Sequence, residues 1–347
     1  MLQFTRGDIL KADVDALVNT VNTVGVMGKG IALQFSRAFP EIMKPYKEAC
    51  KSGELVTGKV MTTKLPLLDG PQYIINFPTK QHWKGNSKME YIAEGLVALV
   101  KEVQQLEIRS IAIPPLGCGL GGLQWQDVKQ QIELALGDLE EVEILVYEPA
   151  GVPAASRMKT ATKKPNMSAG RAALLELMRR YVAALMDDTV TLLELHKLMY
   201  FLKEAGEVPK LDFVKGLYGP YSTNLRHVLK EIEGHYVTGF GDGSEEPGKV
   251  LKRTEGAAEK AERYLKSHPK TLECLNRVES LIDGFETAYG LELLASVHWV
   301  AKYEVSPATT HEEAIQQVHE WNPRKRETFA PKHIQVAWGR LAQMNWL

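Results

Sequence analysis

Six short stretches in the first half of the chain are dense in β-branched and aromatic residues. They are LQFTR (2–6), ALVNTVN (16–22), KVMTTKL (59–65), QYIINF (72–77), SIAIPPL (110–116) and EILVYEP (143–149). Runs of this length and composition read as strands. Between the later ones the period changes. Met89, Ile92, Leu96, Val100 and Val103 recur at three- and four-residue intervals, as do Trp125, Val128, Ile132, Ala135 and Leu139. That spacing predicts two amphipathic helices. Strands interleaved with helices imply a mostly parallel sheet sandwiched by helices, with ligands bound at the carboxyl ends of the strands.

The pattern breaks at 151–170, GVPAASRMKTATKKPNMSAG, which has no apolar period and carries only basic charges. Such a composition reads as a linker. Ser168 suits a helix N-cap, so the chain divides into a domain at 1–150, a linker at 151–167 and a domain at 168–347. Nearly everything in the last part is expected to be helical. Leu174, Met178, Tyr181, Val182 and Leu185 form one stripe, and TLLELHKLMYFL (191–202) is apolar nearly all round, as a buried central helix would be. LYGPYSTNLRHVLKEI predicts a Gly-Pro turn, a Ser/Thr cap and a helix with its stripe on Leu225, Val228, Leu229 and Ile232. EGHYVTGFGDGSEEPG, 233–248, reads as an acidic mobile loop. The ending VAWGRLAQMNWL reads as a terminal helix docked by its tryptophans.

Composition adds exclusions. The chain has 347 residues, 42 Lys and Arg against 43 Asp and Glu, and a formal net charge of −1. That balance argues against a generic basic nucleic-acid binder, although a small neutralised patch is compatible with it. The cysteines Cys50, Cys118 and Cys274 are far apart and unaccompanied by C-x-x-C or H-E-x-x-H, so neither a disulfide framework nor a metal site is expected. The start, MLQFTRGDIL, lacks a basic segment followed by a long apolar run, and no stretch approaches membrane-spanning length. The expectation is a cytoplasmic protein with no membrane partner.

Chemistry concentrates in two glycine-rich loops that leave strands, NTVGVMGKG (22–30) and PPLGCGLGG (114–122). Gly117, Gly119 and Gly122 spell G-x-G-x-x-G, after a strand, before a helix, and with Glu148 following the next strand. Those are the elements of a dinucleotide-binding fingerprint. Three features oppose a dehydrogenase: the motif falls near the domain's end, Pro114 and Pro115 stiffen the strand exit, and the first loop is left unexplained. Nor is the first loop a Walker A loop, because Gly28-Lys29 is followed by Gly30 rather than Ser or Thr. Four glycines in six positions still let backbone N–H groups approach an anion closely. Together with the helix start beyond, they favour a diphosphate.

GDIL, VDALVNTVN, the first glycine loop and PPLGCGLGGLQW, in that order, resemble a macrodomain, the ADP-ribose-binding module. NTVNTVGVMGKGIALQF and NFPTKQHWKG look most like the branch that removes terminal ADP-ribose with a lysine. Within it the chain is similar to the antitoxins of DarT–DarG pairs. The resemblance covers about 1–150 and implies a three-layer α/β/α domain on a mixed, mostly parallel six-stranded sheet. It implies that Asp8, followed by Ile9, binds the adenine amino group. Asn22 would hydrogen-bond the distal ribose. The loop containing Gly25, Met27, Gly28 and Gly30 would flank ribose and phosphates. Gly117, Cys118, Gly119, Leu120, Gly121 and Gly122 would wrap the diphosphate. Lys29 reads as solvated surface.

Lys80 is where the resemblance puts the chemistry, with Asn22 beside it. The implied reaction breaks the N-glycosidic bond between ribose C1″ and thymine through an oxocarbenium-like transition state. An ammonium near the departing base would stabilise its charge or deliver a proton; an unprotonated Lys80 would instead attack C1″. A eukaryotic relative carries an Asp where this chain has Gly121, an acid that resolves the lysine adduct, and its absence favours Lys80 as acid or electrostatic catalyst. His82 and Lys84, on the same loop as Lys80, are either exposed surface or contacts to the DNA phosphates or base.

In the second domain His196 has no partner set at ligand spacing and reads as a core or capping histidine. LHKLMYFL…LYGPYSTNL resembles the Panacea domain, an antitoxin module that binds toxin proteins. The expected partners are then a DarT-like DNA ADP-ribosyltransferase toxin and ADP-ribosylated single-stranded DNA. ADP-ribose is ligand and product, without cofactor or metal, and the chain is a monomer or a toxin–antitoxin heterodimer. The acidic segment 233–248 would on the sharper reading mimic DNA in the toxin's groove. The rival function is a binding module that reads ADP-ribose without catalysis and acts by sequestering the toxin. A dehydrogenase is a distant third.

Overall fold

The computed structural model describes residues 1–66, 70–149, 158, 160–185 and 189–347. They form two compact units, residues 1–163 with 241–244 and residues 164–240 with 245–347. Within the expected linker, residues 151–157 and 159 lie outside the described ones, as does the side chain of Leu185.

The first unit runs β1 (Leu2–Thr5), β2 (Ala16–Asn22), α1 (Gly30–Ala38), α2 (Met43–Ser52), β3 (Met61–Lys64), β4 (Tyr73–Lys80), α3 (Met89–Gln105), β5 (Ser110–Ile113), α4 (Trp125–Leu136) and β6 (Glu143–Tyr147). The six expected strands make one sheet in the order β1-β6-β5-β2-β4-β3. β3 pairs antiparallel with β4, and the other four pairings are parallel. Side chains alternate between two cores. Ala16, Val18, Ile75, Phe77, Ile111, Ile113, Ile144 and Val146 pack with α3 and α4. Leu17, Val21, Ile74 and Ala112 pack with α1 and α2 on the other face. Covering both faces is why these strands read as nearly continuous apolar runs. The pattern did not single out α1 and α2. They are short, and α1 buries Gln34 and Arg37 among its apolar residues, which blurs the stripe.

β4 departs from expectation in a way that matters below. The reading ended it at Phe77, but it continues through Pro78 to Lys80. Its pairing with β2 runs in step to Val21↔Pro78 and then shifts, so that Asn22 faces Lys80 rather than Thr79. A proline has no N–H for the ladder and is tolerated inside sheets at such irregularities.

The second unit contains α5 (Ala169–Leu185), β7 (Thr189–Thr191), α6 (Leu192–Glu204), β8 (Phe213–Gly216), β9 (Gly219–Ser222), α7 (Leu225–Ile232), β10 (Val237–Thr238) and β11 (Val250–Arg253). Helices α8 (Ala257–Leu265), α9 (Pro269–Ile282), α10 (Ala288–Lys302), α11 (His311–Trp321), α12 (Pro323–Thr328) and α13 (Pro331–Gln343) follow. The Ser168 hydroxyl accepts from the Arg171 N–H at 3.4 Å, as a cap should. Helix α6 is buried on nearly all sides and opens with a Thr191–Glu194 capping box. Trp346 is buried against Phe201 and His298.

Three expectations need correction here. The unit also holds a three-stranded sheet, β10-β11-β7, and the β8–β9 hairpin. These strands are too short for alternation to reveal. Gly219-Pro220 opens β9 instead of making the turn, which falls at Leu217 and Tyr218, with Gly219 at φ +92°. The acidic segment is not a solvated surface throughout: Glu233 is buried and accepts from the N–H groups of Gly239 and Phe240. Glu245 accepts from the Tyr221 hydroxyl at 2.5 Å. Residues 241–244 belong to the first unit.

A buried ionic cluster anchors α6, α10 and α12. Glu292 accepts from Arg324 at 2.7 Å and from Lys325 at 2.8 Å, and Lys325 also donates to Ser296. Lys197, just as buried, donates to the Pro220 carbonyl at 2.7 Å. Desolvation and the Lys325 charge bring its pKa down to about 7.

Two outcomes follow for stability. Glu292→Ala strips the buried lysines of their only nearby carboxylate among these contacts and should cost about 3–5 kcal/mol in urea unfolding. Gly95→Ala in α3 improves helix propensity by up to ~1 kcal/mol, but its Cβ would lie 2.3 Å from the Phe77 ring. Overpacking of about 1–3 kcal/mol should win, and an unchanged or raised urea midpoint would contradict it.

Candidate functional site

At the carboxyl end of β2, Asn22 organises the loop that follows. Its Oδ1 accepts from the N–H groups of Val24 at 3.0 Å and Val26 at 3.4 Å, and its Nδ2 donates to the Val26 carbonyl. The buried Tyr46 hydroxyl of α2 donates to the Asn22 carbonyl at 2.7 Å. Burial and the neighbouring Cys50 hold Tyr46 well above the usual phenol range, so it stays a donor. One layer down, Asn19 and Asn76 face each other across β2 and β4 and bond at 2.9 Å, with Met27 sulfur 3.8 Å from Asn19 Nδ2. Met27 and Gly25 are therefore buried, while Val24 and Val26 are exposed.

The second loop is built by exclusion. Gly117, in the left-handed region at φ +69°, and Gly121 are buried against Ser87. A Cβ at Gly121 would fall 2.2 Å from the Gly117 carbonyl oxygen and 2.3 Å from Ser87 Oγ. No side chain fits there without moving backbone, which gives a physical reason for the missing acid at this position. The Ser87 N–H donates to the Gly121 carbonyl at 3.0 Å. Gly119, Leu120 and Gly122 are exposed at the crest, Leu120 by 70%. Cys118 is half-buried, and desolvation pushes its thiol up to about 11, so it is no thiolate nucleophile at neutral pH.

The two loops meet. A Cβ at Gly30 would touch Leu120 at 3.5 Å, and Lys80 Nζ donates to the Leu120 carbonyl. Lys80 thus stands on a strand end, not on a loop, with Asn22 beside it and the second glycine loop across from it. Partial burial lowers its pKa from the ordinary lysine value. Beyond it, the Thr23 hydroxyl donates to the Gln81 carbonyl at 2.8 Å, tying the first loop to the segment after β4.

The remaining predicted residues fall as follows. Asp8 accepts from the Leu10 N–H at 3.1 Å, capping the short turn Ile9–Lys11, and Ile9 is buried. The Gly30 N–H already donates to the Asp242 carbonyl, within the same unit, at 2.7 Å, so that amide is committed in this conformation. Gly28 is partly buried, and Lys29, exposed, is the N-cap residue of α1. Sequence reasoning missed Tyr46, Asn76 and Ser87, which hold the loops from behind. A tyrosine in a helix or an asparagine in a strand gives no local sign of the tertiary bond it makes. His196 is buried, stacks on Tyr221 at 4.4 Å and accepts from the Ser222 N–H, as a core histidine would. Among the described residues no cluster of His, Cys, Asp and Glu is placed to hold a metal, and no helix is long and apolar enough to cross a membrane.

The Macro domain profile matches residues 18–132. Over 337 residues the chain is 48% identical to a Thermus aquaticus protein named DNA ADP-ribosyl glycohydrolase, covering 97% of this chain and 92% of that one. A protein of the same name from Mycobacterium tuberculosis is 42% identical over 355 residues, covering 98% and 99%. A Thermosipho africanus protein, named a DNA ADP-ribosyl transferase–DNA ADP-ribosyl glycohydrolase fusion, is 36% identical over 163 residues, covering 43% and 42%.

The glycines of the second loop should differ sharply on substitution. Gly121→Ala should destabilise the first unit by about 1–3 kcal/mol through steric strain. Gly119→Ala, with nothing within 4 Å of its Cβ, should stay within about 0.5 kcal/mol of the parent. Equal unfolding midpoints for the two variants would contradict the packing described for Gly121.

Proposed function

This chain belongs to the DNA ADP-ribosyl glycohydrolases and is a hydrolase, and from that membership we propose that it removes ADP-ribose from thymine bases in single-stranded DNA and neutralises the cognate DNA ADP-ribosyltransferase. The observation that carries the first half is the placement of Lys80 opposite Asn22, with its ammonium at the second of the two glycine-rich loops. Asp8 receives the adenine end, Gly25–Gly30 and Gly117–Gly122 take the diphosphate, and Asn22 takes the distal ribose. Water attacks C1″ as the bond to thymine N3 breaks, Lys80 gives its ammonium proton to the departing base, and the proton lost by the water restores the ammonium. In the oxocarbenium-like transition state the charge collecting on thymine is then met by a donor held in place beforehand. No metal takes part.

The buried flank of Lys80 favours this role. Desolvation lowers its pKa toward the working range, where a general acid is most effective. The Leu120 carbonyl keeps an acceptor on the ammonium until substrate replaces it. The second half rests on the Thermosipho relative, whose name joins transferase and glycohydrolase in one chain, and on the helical unit, in which we assign the toxin-binding role. The protein acts as a monomer or as a heterodimer with the toxin, in the cytoplasm.

Lys80→Ala should lower release of label from an ADP-ribosylated oligonucleotide by roughly 10²–10⁴-fold while ADP-ribose still binds by calorimetry. The same full-length variant should still suppress the transferase. Undiminished release would remove Lys80 from the chemistry, whereas no release by the parent itself would leave the chain a non-catalytic ADP-ribose reader. In the parent, release should decline as pH rises through the lowered Lys80 pKa, since the acid form is lost there. A nucleophilic amine would give the opposite slope, and a borohydride-trapped Lys80–sugar adduct would overturn the acid role.

A further inference from the structure

The segment that follows Lys80 has chemistry that the reaction at C1″ does not use. Residues 81–86, QHWKGN, are all exposed, yet they form a defined turn rather than a loose strand end. The Gly85 N–H donates to the His82 carbonyl at 3.0 Å, and the Lys84 N–H donates to His82 Nδ1 at 3.2 Å. The Thr23 hydroxyl fixes the turn's first residue to the Asn22 loop. Trp83 stacks on His82 with ring centroids 5.2 Å apart and an interplanar angle of 29°, and Lys84 Nζ lies 4.9 Å from the indole centroid. The indole is 50% exposed. Half-exposure of so large an apolar ring, in a turn with its own hydrogen bonds, is not needed to close the fold.

Charge points the same way. From Lys80 to Lys88 the chain carries three lysines and a histidine and no acid, within a protein of net charge −1. An exposed aromatic platform flanked by cations is the pairing that holds unpaired nucleic acid: bases stack on the ring and lysines neutralise phosphates. Trp83 is three residues from Lys80, so the backbone of the platform lies at most about 11 Å from that of Lys80.

We propose that the turn 81–86 holds the single-stranded DNA flanking the modified thymine, with an adjacent unpaired base stacked on Trp83 and a phosphate neutralised by Lys84. The inference rests on the reading that the substrate is ADP-ribosylated DNA, and it assigns Trp83 to recognition of the strand, not to bond cleavage. His82, held by the turn's own backbone, supports the indole from beneath. The surface gives the enzyme a reason to prefer a strand over an isolated modified nucleoside: the nucleoside fills the ADP-ribose cleft and leaves the turn empty.

The test compares two substrates, an ADP-ribosylated single-stranded oligonucleotide and ADP-ribosylated thymidine. For the parent protein kcat/KM should be higher on the oligonucleotide. Trp83→Ala should cut the ratio of oligonucleotide to nucleoside kcat/KM about tenfold, Trp83→Phe should recover most of it, and Trp83→Leu should not. Lys84→Ala should flatten the dependence of oligonucleotide KM on salt. A ratio unchanged in Trp83→Ala overturns the proposal, as does equal rescue by Leu and Phe, which would make the residue a mere apolar contact. If the parent protein releases ADP-ribose from neither substrate, the underlying glycohydrolase reading fails and this surface fails with it. Release from both with an unchanged ratio sinks the surface alone.

Discussion

The site depends on one irregularity in the sheet. β2 and β4 are parallel and in register until Pro78, where the ladder slips by one residue on the β4 side. Side chains alternate across a strand, so a one-residue change of register decides which face a residue serves. Without the slip Asn22 would lie opposite Thr79, a buried residue, and Lys80 would be carried past the end of the pair. With it, an amide that shapes the first glycine loop and an amine that reaches the second stand side by side. Pro78 makes the irregularity inexpensive, because a proline at that point has no ladder N–H to lose.

Everything around this pair acts to keep it still. Tyr46 reaches from α2 to the Asn22 backbone, and a buried phenol hydroxyl without such a partner would be costly. The Asn19–Asn76 bond ties the same two strands three residues earlier on β2, where Asn19 Nδ2 donates to Asn76 Oδ1 inside the core while Asn19 Oδ1 and Asn76 Nδ2 find no partner among the described residues. On the opposite side the constraint is steric. Gly117 and Gly121 close on Ser87 so tightly that no side chain fits at Gly121, and the Leu120 carbonyl at the crest accepts from the ammonium. One loop is held by bonds to a side chain and the other by the absence of side chains.

The layered sheet was legible in the sequence, because burial on both faces writes itself into Leu17, Val18, Ile74 and Ile75 as apolar runs without alternation. The two long helices α3 and α4 were legible for the equivalent reason at period 3.6. The extent of β4 was not, since Pro78 reads as an end when taken alone and becomes a bulge only beside β2. The candidate site came from resemblance rather than from pattern. Lys80 by itself is an ordinary surface lysine, and the register that brings it to Asn22 is a property of two strands far apart in sequence. In the helical unit the acidic run 233–248 misled for a related reason. Charge density suggested solvation, but Glu233 is consumed by two backbone N–H groups and Glu245 by Tyr221. The short strands β7, β10 and β11 carry two to four residues each, fewer than an alternation needs to be seen.

Lys80 shows how the same fold reconciles two opposed requirements. A donor to a departing base must be charged, and burial disfavours charge; a fully exposed lysine would stay charged but would be screened by water and poorly aimed. The residue sits between these limits, with its stem on the sheet and its head at a backbone carbonyl. That carbonyl belongs to the crest of the diphosphate loop, so the group that receives the ammonium in the unliganded chain is mounted on the segment assigned to the ligand's phosphates.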